Sequence, residues 1–236
     1  MTAVWRKELR SYFCTPVGYV CAGVFLALAS MFFYVRILQQ HSSDYLSFIL
    51  RMSYIWMLLC PVLTMRLFAE ERQKRTDQLL FTSPVSLTRI TLGKYLAAVT
   101  VLLGIVLLTG IYAAVVAVYG RIFAGEMLAG YLGFILQGCA FAAVDLMISA
   151  MAKTPIIAAV VSFGVNFVLY VMDELAYYVP GWAGDILSFL SLYSRNEPFI
   201  MGQLSPAAIV YDLAVITGCL FAAIHILDAR RWRKGA

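Results

Sequence analysis

Charge is scarce in this chain. Asp, Glu, Lys and Arg together make up 13% of its 236 residues, against 62% hydrophobic residues. Soluble domains carry about a quarter charged residues, so this composition excludes one and indicates an integral membrane protein with little room for a soluble module. Histidine is nearly missing, with two copies in all. Neither His41 nor His225 shares a depth with an obvious nucleophile, which leaves serine-protease chemistry without a base. The five cysteines form no CxxC or metal-ligand spacing. Cys21, Cys60, Cys139 and Cys219 lie inside apolar runs and Cys14 just before one, the pattern of thiols that act as small hydrophobes. There is no Walker A loop either: the one Gly-Lys pair, Gly93-Lys94, is followed by Tyr95. The chain therefore cradles no ATP phosphates of its own, and a nucleotide with its magnesium would have to sit on a partner. The net charge of +5 does not indicate nucleic acid, because the basic residues gather at membrane edges rather than in a stripe with stacking aromatics.

What the chain has is apolar length. Six runs match the ~20 residues needed to cross a bilayer core: Val17–Leu38, Tyr45–Leu67, Leu87–Tyr119, Met127–Met151, Pro155–Met172 and Ala207–Leu227. The expected fold is all-α, a single polytopic domain over residues 1–236. The first run has a basic region before it and Ala27-Leu28-Ala29 resembles a cleavage site, but the apolar stretch continues to Val35 and is expected to stay as a membrane helix. Arg51 interrupts the second run and Pro61 is expected to kink it. The third is longer than a bilayer requires and should project at its Lys94 end. An even number of spans puts both termini on one side. Fourteen of the 18 Lys and Arg residues then fall on that side, leaving Arg36, Arg51, Arg121 and Arg195 on the other. By the positive-inside rule the termini are cytoplasmic, and a bacterial plasma (inner) membrane is the expected location.

Between spans two and three lies the one dense block of charge away from the termini. Arg66, Glu70, Glu71, Arg72, Lys74, Arg75, Asp77 and Arg89 cannot sit in hydrocarbon, where each central charge costs ~2.5–3.5 kcal/mol. Within this block, residues 68–88 are predicted to form a cytoplasmic segment. Thr76 suits an N-cap, Asp77 a first turn, and Leu79, Leu80 and Phe81 give a short apolar surface before Thr82-Ser83-Pro84 ends the piece and Ser86 caps the next helix. A second peripheral piece precedes the first span, in residues 1–16. At 100° per residue Trp5, Leu9, Tyr12 and Phe13 share one face while Arg6, Lys7 and Arg10 occupy another, the pattern of an amphipathic helix lying in the lipid interface.

On the opposite side, residues 173–206 carry Asp173, Glu174, Asp185 and Glu197 against Arg195. Inside this segment Ile186–Tyr193 is almost wholly apolar and too short to span. It reads as a re-entrant or interfacial helix capped by Asp185, with Ile186, Leu187, Phe189 and Leu190 packed over the outer mouth. Two polar side chains stand out within spans. Asp145 is about 12 Å into the fourth, at 1.5 Å per residue from Lys153, and is expected to pair with Lys94 or Arg66. Asn166 in the fifth either bonds across helices or lines a pathway. Small residues recur at intervals of four, as in Ala214, Gly218 and Ala222, in Gly23 and Ala27, and in Ala129 and Gly133, a spacing that lets helix backbones approach.

One enzymatic pattern has to be weighed. Glu70-Glu71-x-x-x-Arg75 and Phe221-x-x-x-His225 resemble two motifs of CAAX-type glutamate intramembrane proteases. That chemistry needs a further histidine downstream and glutamates inside a membrane helix, and neither is present.

A different resemblance runs through the chain. Lys7-Glu8-Leu9-Arg10-Ser11-Tyr12-Phe13 and Pro16-Val17-Gly18-Tyr19 open it. Leu63-Thr64-Met65-Arg66-Leu67-Phe68-Ala69-Glu70-Glu71 and Leu79-Leu80-Phe81-Thr82-Ser83-Pro84-Val85-Ser86 continue it. Gly93-Lys94-Tyr95-Leu96, Ser149-Ala150-Met151 and the basic tail complete it. In this order the motifs resemble ABC-2 type transporter permeases, in particular their short gliding-motility-associated branch. Two positions depart from that pattern: Arg75-Thr76 stands where the family usually has Gly-Thr, and Asp145 where it usually has a small residue. The resemblance implies a permease, an exporter by type, that pairs with a second permease, identical or homologous, and with two cytoplasmic ABC ATPase subunits that bind ATP and Mg. It also implies that the N-terminal helix (Trp5, Arg6, Lys7, Leu9, Arg10) and the turn (Glu70, Glu71, Arg72, Arg75, Thr76, Asp77, Leu79, Leu80, Phe81) form the ATPase-facing surface, with membrane lipid around the rest. The competing class is a membrane scaffold or assembly subunit with no pathway of its own.

The orientation is open to a direct check. Cysteines placed at Ser42 or Gly184 are expected to react with an impermeant thiol reagent on intact cells, and one at Gln73 is not. Labelling at Gln73 from outside would invert the topology.

Overall fold

The computed structural model describes residues 1–39, 44–76, 85–119, 123–178 and 181–235, with the backbone alone at 119, 183, 185 and 232–235. All regular structure among the described residues is helical. In chain order the elements are α1 (Thr2–Cys14), α2 (Pro16–Phe33) with a π-helical continuation (Tyr34–Leu38), α3 (Tyr45–Thr64), α4 (Arg66–Gln73), α5 (Leu87–Tyr119), α6 (Ala124–Met151), α7 (Pro155–Tyr178), α8 (Trp182–Leu190), α9 (Leu192–Ile200) and α10 (Pro206–Gly235). Six segments are long and apolar enough to cross a membrane: α2 with its π turn, α3 together with α4, α5, α6, α7 and α10. The chain is an all-α polytopic membrane protein.

Local sequence accounts for the element boundaries. Proline is the first residue of α2, α7 and α10, where its missing N–H removes no helical bond and its fixed φ suits a first turn. Thr15 stands between α1 and α2 in an extended conformation, and its hydroxyl donates to the Ser11 carbonyl at 2.7 Å, closing α1 as Pro16 opens α2. The second span is divided rather than a single helix: α3 contains Pro61 and ends at Thr64, and Arg66–Gln73 is a helix of its own. Arg51 does not interrupt it; its guanidinium lies over the Phe32 ring, 5.8 Å from the centroid. The fifth span extends six residues past its predicted end, which takes Asp173 and Glu174 into α7.

α6 is the axis of the bundle. Its most apolar window is 78% buried, against 22% for α5 and for α7, and it packs against α3, α10, α7, α5, α9 and α4. Small side chains make this central position possible. A Cβ on Gly133 would stand 2.5 Å from the Cβ of Phe199 in α9, so only glycine admits α9 at this distance. Of the small-residue pairs, Ala129 and Gly133 face this interior, while Gly23 with Ala27 and Ala214 with Gly218 face outward.

Away from the termini the connecting segment forms two short helices rather than one. The predicted apolar run Ile186–Tyr193 is cut at Ser191, whose Oγ accepts from the Ser194 N–H at 3.2 Å and starts α9. α8 starts at Trp182 after Gly181, so Asp185 falls inside the helix and not at its cap. Ile186, Phe189 and Leu190 are exposed, and it is α9, through Leu192, Asn196 and Phe199, that is buried against the bundle.

Candidate functional site

The densest polar structure lies at the end of the bundle that carries both termini, where α1, α4 and the start of α5 meet. Lys94 is at its centre. Placed in the second turn of α5, it is 1% exposed, and its Nζ lies 3.1 Å from Glu8 Oε1 of α1 and 2.9 Å from Glu71 Oε1 of α4. It also donates to the Leu67 carbonyl at 2.5 Å and sits 5.0 Å from the centroid of the Phe68 ring. One buried ammonium thus holds three helices through two carboxylates, a carbonyl and a π face. Lys7 joins the cluster from the outside, 3.7 Å from Glu8 and 3.5 Å from Glu71.

α1 is fixed by further bonds. Trp5 Nε1 donates to Thr100 Oγ1 at 3.0 Å, and the buried Tyr12 hydroxyl donates to the Leu63 carbonyl at 2.9 Å. Burial, with Glu8 nearby, holds that phenol well above the ordinary tyrosine range. The Trp5, Leu9 and Tyr12 face predicted for the lipid interface is therefore packed against protein, and only Phe13 of that set is exposed.

α4 is docked on the end of α6 at both of its own ends. The helix starts without a capping side chain of its own, and Ser149 of α6 takes that place: its Oγ accepts from the Phe68 and Ala69 N–H groups at 3.2 Å each and donates to the Met65 carbonyl at 3.1 Å. Further along, Arg72 Nη1 donates to the carbonyls of Met151 and Ala152 at 2.8 and 2.9 Å. Arg230 of α10 reaches the same place, donating to Ala150 and, at 2.8 Å, to Met151. The last carbonyls of α6, unsatisfied within the helix and at the negative end of its dipole, are held by two arginines, one from α4 and one from α10.

α4 ends in a turn with an unusual residue in it. Arg75 has φ 57°, the one positive φ outside glycine among the described residues. The Thr76 N–H bonds to the Glu71 carbonyl at 2.9 Å and the Arg75 N–H to the Arg72 carbonyl at 3.1 Å. This pair of bonds is a Schellman motif with Arg75 at the left-handed position, which glycine occupies without steric cost. Thr76 closes α4, its hydroxyl also donating to Glu71 at 3.1 Å. Asp77, Leu79, Leu80 and Phe81 lie outside the described residues.

Against this geometry, one family model matches. It is described as ABC-2 family transporter protein, and it covers residues 34–224. The chain belongs to that family. It is the membrane-embedded permease subunit of an ABC transporter, and the family implies ABC ATPase subunits as its partners. No curated protein matches the permease. α1, with Glu8 and Tyr12, precedes the matched residues.

Several predicted site residues of the permease stand elsewhere than expected. Glu70 and Glu71 are engaged in ion pairs within the protein. Glu70 takes Arg66 in a two-point contact at 2.7 and 3.2 Å and Lys74 at 2.7 Å, while Glu71 turns in to Lys94. Arg72 is committed to α6. The predicted pairing of Asp145 with Lys94 or Arg66 is overturned, since both cations have other partners. Asp145 is fully buried and held by neutral groups instead: Asn166 Nδ2 at 2.8 Å from α7 and Thr64 Oγ1 at 3.2 Å from α3. Asn166 thus bonds across helices. A second buried acid escaped the sequence reading. Asp212 of α10 is fully buried, with Asn196 Nδ2 of α9 at 3.5 Å. Its signal was a carboxyl six residues inside an apolar span. Glu8 carried a signal too, as the single acid in the first 43 residues.

Two substitutions test this junction in opposite directions. Lys94→Met removes the buried partner of Glu8 and Glu71 and leaves them only the exposed Lys7, and it is expected to destabilise the purified permease by about 3 kcal/mol, seen as a lower unfolding midpoint. Arg75→Gly relieves a left-handed backbone worth ~1–2 kcal/mol, less ~0.5–1 kcal/mol for glycine's entropy, so a gain of about 0.5–1 kcal/mol is expected.

Proposed function

We propose that this permease couples nucleotide-driven movement of a partner ATPase to substrate export, through the turn between its second and third spans. The observation that carries the proposal is the double docking of α4 onto α6. Ser149 holds its first turn and Arg72 its last, while Lys94 ties α4 to α5 and, through Glu8, to α1. A displacement of the turn therefore acts on α1, α5 and α6 together, and α6 is the helix on which the bundle is built. The basic excess at this end supports a cytoplasmic location for it and for both termini, in a bacterial inner membrane. ATP and Mg then belong to the ATPase, and a second permease, identical or homologous, completes the pathway. The motif run from Lys7 to Met151 supports membership of the short gliding-motility-associated branch.

The test is the double substitution Leu79→Asp with Leu80→Asp. It is expected to leave membrane insertion and yield unchanged while abolishing copurification of the ATPase or uncoupling its hydrolysis from transport. A double variant that assembles, hydrolyses and transports like the parent would overturn the coupling role of the turn.

A further inference from the structure

The inward face of α7 is polar. Its buried residues, Ala158, Ser162, Asn166 and Tyr170, stand one turn apart on a single stripe. Three of them carry a buried polar atom, Ser162 Oγ, Asn166 Oδ1 and Tyr170 Oη, that has no hydrogen-bond partner among the described residues. The apolar side chains of the helix point the other way: Ile156, Val160, Phe163 and Phe167 are exposed. What meets the stripe from the core is Asp145 of α6, fully buried and six residues before the last residue of that helix, Met151. Asn166 Nδ2 donates to its Oδ1 at 2.8 Å, and Thr64 Oγ1 of α3 lies 3.2 Å from its Oδ2.

The placement of one hydrogen decides the charge of this acid. A threonine hydroxyl has a single hydrogen. That of Thr64 has the Cys60 carbonyl at 2.9 Å and the Pro61 carbonyl at 3.4 Å, and a carbonyl can only accept. With the hydrogen of Thr64 on Cys60, the bond between Thr64 and Asp145 needs a hydrogen from the acid. The surroundings require the same. The groups that face Asp145 are Cys60 and Thr64 of α3 with Ser162 and Asn166 of α7, none of them charged. Lys94, Arg66, Arg72 and Arg230 are bonded elsewhere. A buried carboxylate without a counter-ion is relieved by taking up a proton.

We propose that Asp145 is a proton-binding site: the acid carries a proton that it donates to Thr64, and release of that proton frees α7 from α3 and α6. This reading does not depend on how an ATPase docks. On release the O–H bond breaks, its electron pair stays on Oδ2, and the proton passes to water entering from the near end of α6, ~9 Å away at 1.5 Å per residue. Oδ2 then has no donor, and the unpaired charge draws water to the stripe, where Ser162, Asn166 and Tyr170 have bonds to spare. α7 is the helix this would loosen, since its buried face offers little apolar contact to hold it.

The experiment uses the full-length permease in lipid nanodiscs. Infrared spectra of the parent at neutral pH are expected to show the carbonyl stretch of a protonated carboxyl group, which Asp145→Asn loses. Thr64→Val should move that band to higher frequency, because the acid O–H loses its acceptor. The unfolding midpoint of the parent should fall as pH rises, since the folded state holds a proton that the unfolded state has given up, and Asp145→Asn should flatten this course. Amide hydrogen exchange over residues 155–178 should quicken with pH more in the parent than in Asp145→Asn. Spectra that do not differ between these two proteins would overturn the bound proton. A lost band with equal exchange at every pH would overturn the release of α7. If Asp145→Asn does not fold, a band unmoved by Thr64→Val overturns the site. If instead sodium at fixed ionic strength raises the midpoint of the parent and not that of Asp145→Asn, the site takes a metal cation and the proposal is wrong.

Discussion

An ammonium group with 1% of its surface exposed has to be neutralised where it sits, and the arrangement of this permease around Lys94 follows from that requirement. α5 alone offers it nothing acidic. The counter-charges come from α1 and α4, two helices too short to cross a membrane, and each is drawn against the third span by the charge it supplies. Glu8 and Glu71 both bond the buried ammonium, so the loss of either helix would strip Lys94 of one of its two carboxylate partners. The periphery of the molecule is thereby made continuous with its interior.

A second constraint works at the end of α6. A helix that finishes inside a protein leaves carbonyls without donors, and here three successive ones are met by arginines from α4 and α10. The start of α4 has the converse need, for acceptors, and Ser149 meets it from the same stretch of α6. Donor-poor and acceptor-poor helix ends are thus placed side by side and satisfy each other. The contact is specific because each bond answers a defined deficit, which an apolar contact at the same place would not.

The spans were legible because length and hydropathy are properties of a local window, and all six are found where the runs of apolar residues lie. The partners of Lys94 were not legible: the sequence points to Asp145, an acid within a span, while Glu8 lies on a helix whose pattern suits a lipid interface. Partner choice depends on which helices touch, and amphipathicity does not distinguish a face laid on lipid from one laid on Trp5's actual neighbour, α5. The break at Ser191 was hidden for a similar reason: the apolar run Ile186–Tyr193 continues across it, and only the local bond to the Ser194 N–H marks the restart. The resemblance singles out Arg75 as standing where glycine is expected, and its left-handed backbone is one that glycine adopts without steric cost.

Every group that neutralises Lys94 precedes it in the chain. Glu8, Leu67 and Glu71 are all synthesised first, and the chain is made from the N-terminus at ~5–20 residues per second. When the third span leaves the ribosome, the acceptor for its lysine already exists. The charges that Lys94 needs are thus made before it, one of them on an amino-terminal helix that lies outside the matched family region, whereas the bonds that dock α4 on α6 come from residues made later.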